Sequence, residues 1–330
     1  MSKALTWIGG LLLVALAAMF AVPRVVDWNA YRGVFEEEAS RMLGREVRVG
    51  GGVAVRMLPS PYVRFEQLRI ADTSGTLGEP FFRAEGFTMG LSILPLMRGA
   101  IEATSVVVTK PVLTLSIDAQ GRGNWRDFKL TPAAMPFMPA DVSLQDVKIE
   151  DGTLTIRADG AGELIRLDAI AGQFSADSLE GPYKFRGETQ WDGSVREVSI
   201  STARADADGN TRFKAHVRSA ASGARYTLDG GAVDLATRPR LTAELTARLP
   251  FRSGDITDQK SAAGIDLKSK LYADTAGASL SDLTLSYDQG DQPQMVTGEA
   301  LASWLSGTRI KVKLAAVWLD LDRLASGATG

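Results

Sequence analysis

The stretch "VRFEQLRI", residues 63–70, departs from the alternation of apolar and polar residues that a half-buried β-strand shows. Val63 and Phe65 occupy odd positions, whereas Leu68 and Ile70 occupy even positions. A β-bulge between Phe65 and Leu68 inserts one extra residue and returns all four side chains to the same face. The stretch therefore predicts a strand that bends while keeping one apolar face.

The same spacing recurs three more times along the chain. The residues that show it are Ile101, Ala103, Val106 and Val108; Val142, Leu144, Val147 and Ile149; and Ala278, Leu280, Leu283 and Leu285. Beyond Gly44 a period of two continues through nearly the whole chain, with turn signals such as "DAQGRGN" and "DADGN" between the runs. The sequence therefore predicts a mainly β fold of well over ten antiparallel strands, in a long sheet that curves strongly.

The N-terminus contains an uncharged apolar segment from Leu5 to Val22, which is close to the roughly 20 residues that a helix needs to cross a bilayer. We predict a transmembrane anchor here. A cleaved signal peptide is the alternative, although the apolar run is longer than usual for one. The anchor residues are Leu5, Trp7, Leu11, Leu12, Leu13, Leu16, Phe20 and Val22.

One amphipathic helix is predicted after Pro23, with Asp27 or Asn29 as its N-cap and Gly44 placed to end it. The glutamate run at 36–38 is typical of a solvated helix face. The predicted division of the chain is an anchor at 1–23, a helix-plus-sheet segment at 24–130, a Pro-rich loop at 131–141 and a second sheet segment at 142–330.

The composition argues against several classes of function. The 330 residues are 45% hydrophobic, carry a net charge of −2 and include no cysteine, which gives no basis for nucleic-acid binding or for Cys-ligated metals. Sequence motifs for nucleophilic, zinc-dependent or nucleotide-dependent catalysis do not occur. The one histidine, His216, falls on the polar face of its predicted strand. We expect no catalytic residue, no metal and no cofactor.

Five segments follow one another along the chain: "DWNAYRGVFEEEASRMLGREVRVGG", "VAVRMLPSPYVRFEQLRIAD", "FFRAEGFTMGLSILPLMRGAIEATSVVVTKPVLTLSIDAQGRGNW", "EDGTLTIRADGAGELIRLDAIAGQFSADSLEGPYKFRGE" and "LAAVWLDLDRL". Their order resembles the AsmA-like family of Gram-negative bacteria. The resemblance implies a single-pass inner-membrane protein with its N-terminus in the cytoplasm and its bulk in the periplasm. It also implies a bridge-like lipid-transfer protein, whose curved sheet forms an open apolar groove with the helix over its membrane-proximal end. Members that could span the periplasm are often longer, so a short member or a fragment is implied.

The functional hypothesis is that phospholipid acyl chains move along this groove between the inner and outer membranes and so contribute to outer-membrane lipid homeostasis. Phospholipids and the inner membrane are the expected partners, together with outer-membrane or periplasmic proteins. The predicted lining residues are Val49, Val53, Val55, Phe65, Leu68, Phe87, Met89, Leu91, Leu113 and Leu115. The alternative is a membrane-anchored β-sandwich that acts as a scaffold in outer-membrane protein assembly, because a sandwich buries the same apolar face against a second sheet. An enzyme is the third hypothesis.

Overall fold

The protein is described from a computed structural model that covers residues 26–73, 77, 79–93, 103–126, 144–177, 181–206, 208–235, 237–250, 264–287 and 294–318. These residues form a 3-10 turn at Trp28–Tyr31, one α-helix, α1, at Arg32–Leu43, and seventeen strands. The strands are β1 Val47–Val49, β2 Val53–Arg56, β3 Tyr62–Ile70, β4 Phe82–Leu91, β5 Ala103–Thr109, β6 Val112–Ile117, β7 Leu144–Ala158, β8 Gly162–Ala176, β9 Tyr183–Trp191, β10 Ser194–Thr202, β11 Thr211–Ser219, β12 Arg225–Val233, β13 Arg240–Pro250, β14 Gly264–Asp274, β15 Gly277–Tyr287, β16 Gln294–Ser303 and β17 Arg309–Ala316. The prediction of a mainly β fold with one short helix is confirmed, but the prediction of an antiparallel sheet is wrong at one pair, because β5 and β7 run parallel.

The chain divides into two compact units. The described residues of 26–112 and 144–150 form the first unit, and those of 113–126 and 151–318 form the second. The predicted anchor at 5–22 and the Pro-rich loop at 131–141 lie outside the described residues.

The ends of the helical segment follow the capping signals in the sequence. The Asp27 carboxylate accepts a hydrogen bond from the Asn29 amide at 3.0 Å and caps the 3-10 turn that leads into α1. Gly44 follows the helix in the left-handed conformation with φ of 65° and ends it. The predicted end at Gly44 is confirmed, whereas Asp27, one of the two predicted N-cap residues, caps only the 3-10 turn: the N-cap position of α1 itself is Tyr31, which makes no side-chain capping hydrogen bond.

Helix α1 covers an edge of the first unit's sheet. The amide of Val49 donates to Glu36 Oε1 at 2.8 Å, and the amide of Val53 donates to Asn29 Oδ1 at 3.0 Å. Arg48 completes the contact with a 3.0 Å ion pair to Glu36. The side chains of Glu36 in α1 and of Asn29 in the preceding 3-10 turn thereby accept hydrogen bonds from strand N–H groups that would otherwise be open to a foreign strand. The expectation that the glutamate run is wholly solvated is therefore wrong for Glu36.

The first unit contains one sheet with a small buried core. Strands β1 and β2 both pair with β3, which continues through β4 to β5, and β5 pairs in parallel with the first half of β7. The core consists of Ala84, Val106 and Val108, and Phe87 and Val147 pack against it. These residues come from three different strands, so the apolar side of the sheet is continuous.

The predicted bulge in "VRFEQLRI" is confirmed at Gln67, which has φ of 54°, because the register of β3 shifts by one residue there against β1 and β2: Val53 pairs with Phe65, whereas Val49 pairs with Leu68. The register against β4 does not shift, since Phe65 pairs with Phe87 and Leu68 pairs with Ala84, so β4 changes phase at the same level. Phe87 packs against the core cluster that contains Ala84. The side chains before and after Gln67 therefore share one face, as the phase change predicts.

Two further predicted bulges are also confirmed. The pairing between β4 and β5 shifts by one residue around Thr104. Asp282 has φ of 51°, and β15 changes register there against both of its neighbours. The fourth prediction involves Val142, which lies outside the described residues; within the described part of β7, a positive φ of 56° occurs at Asp151.

The second unit contains an antiparallel meander in which each strand from β8 to β17 pairs with the next. A Cβ atom placed on Gly160, in the β7–β8 turn, would overlap the carbonyl oxygen of Leu305, which follows β16. Strands β8 and β16 are eight steps apart in the meander, or about 38 Å in a flat sheet. Backbone contact between Gly160 and Leu305 therefore requires this unit's sheet to curl.

Ala169 forms a further bulge, in β8, that was not among the four predicted from the sequence. It has φ of 49°, and the register with β9 shifts between Asp168 and Ala171. Since an L-residue with a Cβ is strained in the left-handed region, Ala169→Gly is expected to raise the free energy of unfolding by about 1 kcal/mol. Urea denaturation of the full chain in mild detergent, followed by circular dichroism, measures the change.

The matched control for that variant is Ala171→Gly, which lies in the same strand, is exposed and has no positive φ. Glycine there is expected to lower stability by roughly 0.5–1 kcal/mol because it only adds backbone freedom to the unfolded chain. Equal destabilisation by both variants would contradict the assignment of strain to Ala169.

Candidate functional site

The meander of the second unit has one apolar face. Directly opposed residues in an antiparallel ladder point to the same side of a sheet, so the registers identify that face strand by strand. One row across the strands contains Phe174, Phe185, Ile200, Ala215, Leu228 and Leu245. A neighbouring row contains Phe213, Gly230, Ala243, Leu271, Leu280, Ala300 and Val312. The bulge at Asp282 keeps Leu280 and Leu283 on this face.

The large side chains of this face are only partly buried. The buried apolar residues in the meander are mostly alanines, such as Ala232, Ala243 and Ala247. Ile200 is 39% exposed and Val312 is 54% exposed, and no large side chain among the described residues is less than 2% exposed. Exposed apolar surface of this extent on a protein ordinarily marks a binding site.

The opposite face of the same strands contains most of the charged residues, many of them ion-paired, together with exposed apolar residues such as Met295 and Leu301. Lys270 Nζ lies 2.9 Å from Asp282 Oδ2, and Lys313 Nζ lies 2.8 Å from Glu299 Oε1. The hydrogen bond to Asp282 raises the pKa of Lys270, and the hydrogen bond to Glu299 raises the pKa of Lys313. Both lysines therefore stay protonated at neutral pH, as expected for a face directed to water.

In the first unit, the registers place eight of the ten predicted lining residues on one face of the sheet. These are Val49, Val53, Val55, Phe65, Leu68, Phe87, Met89 and Leu91. Val49, Val53 and Leu91 are buried within the protein, whereas the other five are half-buried. Leu113 and Leu115 lie on β6, belong to the second unit and are also half-buried. The role of all ten residues as a lipid lining stays a prediction.

Helix α1 lies on the apolar face of the first unit. The ring of Phe35 contacts the ring of Phe65 edge-on at 5.4 Å, and Phe65 lies 6.4 Å from Phe87. This edge-to-face arrangement is a favourable one for aromatic pairs. The helix thus covers part of the face that contains the predicted lining.

The apolar face of the second unit includes partly exposed residues such as Ile200, Ile310 and Val312, and the lining proposed from the sequence included no residue beyond Leu115. The sequence did contain a signal for an apolar face in this unit, because Phe213, Ala215 and Val217 alternate with basic residues in β11. Alternation within one strand shows which residues share a side, but it does not show which strands lie together. The registers supply that information.

Reactive groups do not converge within the described part of the chain. His216 lies on the charged face, is exposed and is 3.1 Å from Thr227 Oγ1. The described residues contain no group of three or more His, Asp or Glu side chains that could hold a metal ion. The two faces of the sheet, one apolar and one charged, are therefore the main chemical feature of this region.

These features define a β-rich protein with a large, partly exposed apolar sheet face. The model of the AsmA family matches residues 1–232, and the chain therefore belongs to the AsmA family. This family is not known for enzymatic activity, and membership fits a role in the cell envelope. No similar curated protein and no similar solved structure was found. Within the part of the chain that the structure describes, no helix has the length and the apolar composition that a membrane span requires.

Proposed function

We propose that the protein carries phospholipid acyl chains along an apolar β-groove in the periplasm, between the inner and outer membranes, and so contributes to outer-membrane lipid homeostasis. The apolar face of the meander is the observation that carries this proposal. It extends across the strands from β8 to β17, and large residues such as Ile200 and Val312 are partly exposed on it. A face of this kind has the chemistry that hydrocarbon chains require.

Phospholipid movement through water faces a large free-energy barrier. Two acyl chains of about 16 carbons each cost roughly 25 kcal/mol to expose, at about 0.8 kcal/mol per CH₂. An apolar trough keeps the chains covered while the headgroup remains in water, and it needs no catalytic residue. The charged opposite face of the sheet, with pairs such as Lys270–Asp282, keeps such a protein soluble on its outer side.

The segment from Leu5 to Val22 is the proposed inner-membrane anchor, with the N-terminus in the cytoplasm and the sheet units in the periplasm. The proposal rests on the uncharged composition of the segment and on the AsmA family assignment. An anchor in the donor membrane would hold one end of the groove next to its lipids.

The alternative, a β-sandwich scaffold in outer-membrane protein assembly, requires the apolar face to pack against a second sheet. A packed sandwich core buries large side chains on both inner faces. The alanine-rich buried set and the partly exposed Ile200 favour the lipid-binding function over the scaffold.

The test is lipid extraction from the full chain. Protein purified in dodecyl maltoside and washed with fresh detergent should retain phospholipid that mass spectrometry of the extract detects. The same protein should increase the transfer of a fluorescent phospholipid between donor and acceptor vesicles. Folded protein that retains no phospholipid and transfers none would contradict the proposal.

A further inference from the structure

The apolar face of the meander carries one charged side chain within the described strands β9–β17, and it belongs to Arg196. In the register, Arg196 lies opposite Thr189 on β9 and opposite Ser219 on β11. Val198 and Ile200, two and four residues further along β10, point to the same side. An arginine in this position places a permanent positive charge among apolar side chains.

The guanidinium group of Arg196 has an unused hydrogen-bond donor. Its Nε atom is buried and has no acceptor among the described residues. The hydroxyl of Thr189, opposite Arg196 on β9, donates to the carbonyl oxygen of Asp168 at 3.0 Å and makes no hydrogen bond with Arg196 Nε. Glu197, the acidic residue next to Arg196 in sequence, lies on the opposite face and is 3.9 Å from Arg218. A cation without a counter-charge among apolar side chains is costly, so the face favours a ligand that brings a negative charge to the accessible edge of this guanidinium.

The ring of Trp191 lies against one side of the Arg196 guanidinium group. The Arg196 Cζ atom lies 5.5 Å from the centre of the Trp191 ring, within the range of a cation–π contact. Stacking on a ring leaves the N–H groups at the edge of the guanidinium free, and those groups match the oxygen atoms of phosphate in geometry. Trp191 is 47% exposed at the end of β9, so the site lies near the hairpin end of the strands.

We infer that Arg196 binds the phosphate of a phospholipid whose acyl chains lie along the face over Val198 and Ile200. This inference rests on the proposed lipid-binding function and adds a headgroup position to it. Charge complementarity supports a phosphate, and the apolar residues that continue from Arg196 support an acyl chain attached to it. Val198 and Ile200 extend roughly 7 and 13 Å from Arg196 along the strand, which is a suitable direction for the chain.

The test compares two ligands with identical acyl chains. Full-length protein in detergent is stripped of lipid and then titrated with dioleoyl phosphatidylglycerol or with dioleoylglycerol, which lacks the phosphate. The wild-type protein is expected to bind the phospholipid at least tenfold more tightly than the diacylglycerol. Arg196→Gln is expected to remove most of this preference and to leave diacylglycerol binding unchanged within about twofold.

Arg186→Gln is the matched control, because Arg186 is an exposed arginine on the opposite face of the neighbouring strand β9. It should keep the wild-type preference. Equal binding of the two ligands by the wild-type protein would overturn the headgroup site, and this result does not depend on whether any variant folds. Retention of the preference in Arg196→Gln would overturn it as well.

Two further outcomes separate this inference from its alternatives. Failure to bind either ligand would contradict the proposed lipid-binding function itself, whereas equal binding would contradict only the phosphate site. Inorganic phosphate at millimolar concentration is expected not to displace the phospholipid, because it lacks the acyl chains that the face binds. Displacement by inorganic phosphate alone would show a simple anion site and would overturn the assignment to a lipid.

Discussion

Gly230→Ala is expected to lower the free energy of unfolding by about 3 kcal/mol. Gly230 lies in β12 on the apolar face, opposite Ala243. A Cβ atom at this position would overlap the carbonyl oxygen of Thr242 and would lie 2.6 Å from the Cα atom of Ala243. Both are backbone atoms, which cannot rotate away, so the strands themselves must separate. Urea denaturation of the full chain in detergent measures the loss.

The adjacent glycine provides the control for this prediction. A Cβ atom on Gly231 would have its nearest neighbour, the carbonyl oxygen of Thr211, at 3.9 Å, which is ordinary van der Waals contact. Gly231→Ala is therefore expected to be neutral or to stabilise the protein by up to about 1 kcal/mol. Similar destabilisation by Gly230→Ala and Gly231→Ala would show that the close approach of β12 and β13 is not what requires glycine.

The second large effect is expected at Ile200. Ile200→Asp should reduce the amount of phospholipid that copurifies with the full chain roughly 100-fold, because a carboxylate facing acyl chains costs about 3 kcal/mol. The side chain of Ile200 is 39% exposed, so the variant can hydrate its carboxylate and fold when no lipid is bound. Mass spectrometry of the extracted lipid, normalised to folded protein, measures the effect.

Ser201→Asp is the matched control on the next residue of the same strand. Ser201 lies opposite Lys214 on one side and Lys184 on the other, so a carboxylate there gains two cationic neighbours on the charged face. Its phospholipid content should stay within about twofold of the wild-type value. Normal phospholipid content in folded Ile200→Asp protein would remove Ile200 from the proposed lining.

Local features of the sequence were sufficient to predict much of the fold. The phase changes at Gln67 and Asp282 identified bulges because a one-residue insertion always reverses the alternation that follows it. The bulge at Ala169 carries the same signal in the spacing of Ile165, Leu167 and Ile170, and it could have been found in the same way. Such signals depend only on neighbouring residues and on the geometry of a single strand.

Other features depend on contacts between distant residues. Glu36 belongs to a charge run that is usually solvated, and its contact with the amide of Val49 arises only when the helix docks on the sheet edge. Such docking leaves no periodic signal in the sequence. The same limitation applies to the close approach of Gly160 and Leu305, which lie 145 residues apart in the chain and meet because the sheet curls.

Strand type, the end of the helix at Gly44, the bulges and the apolar character of one face could all be predicted from the sequence, because they follow from the chemistry of residues a few positions apart. The face of the sheet to which the Arg196 side chain points could not be predicted from the sequence. In "SVREVSIST", Val195 suggests one phase and Val198 with Ile200 suggests the other, so alternation alone leaves the arginine unassigned. Pairing with Thr189 resolves the choice and places the charge among apolar side chains. The physical reason is that register is a property of two strands, held by hydrogen bonds and packing between them, and a single strand does not contain it.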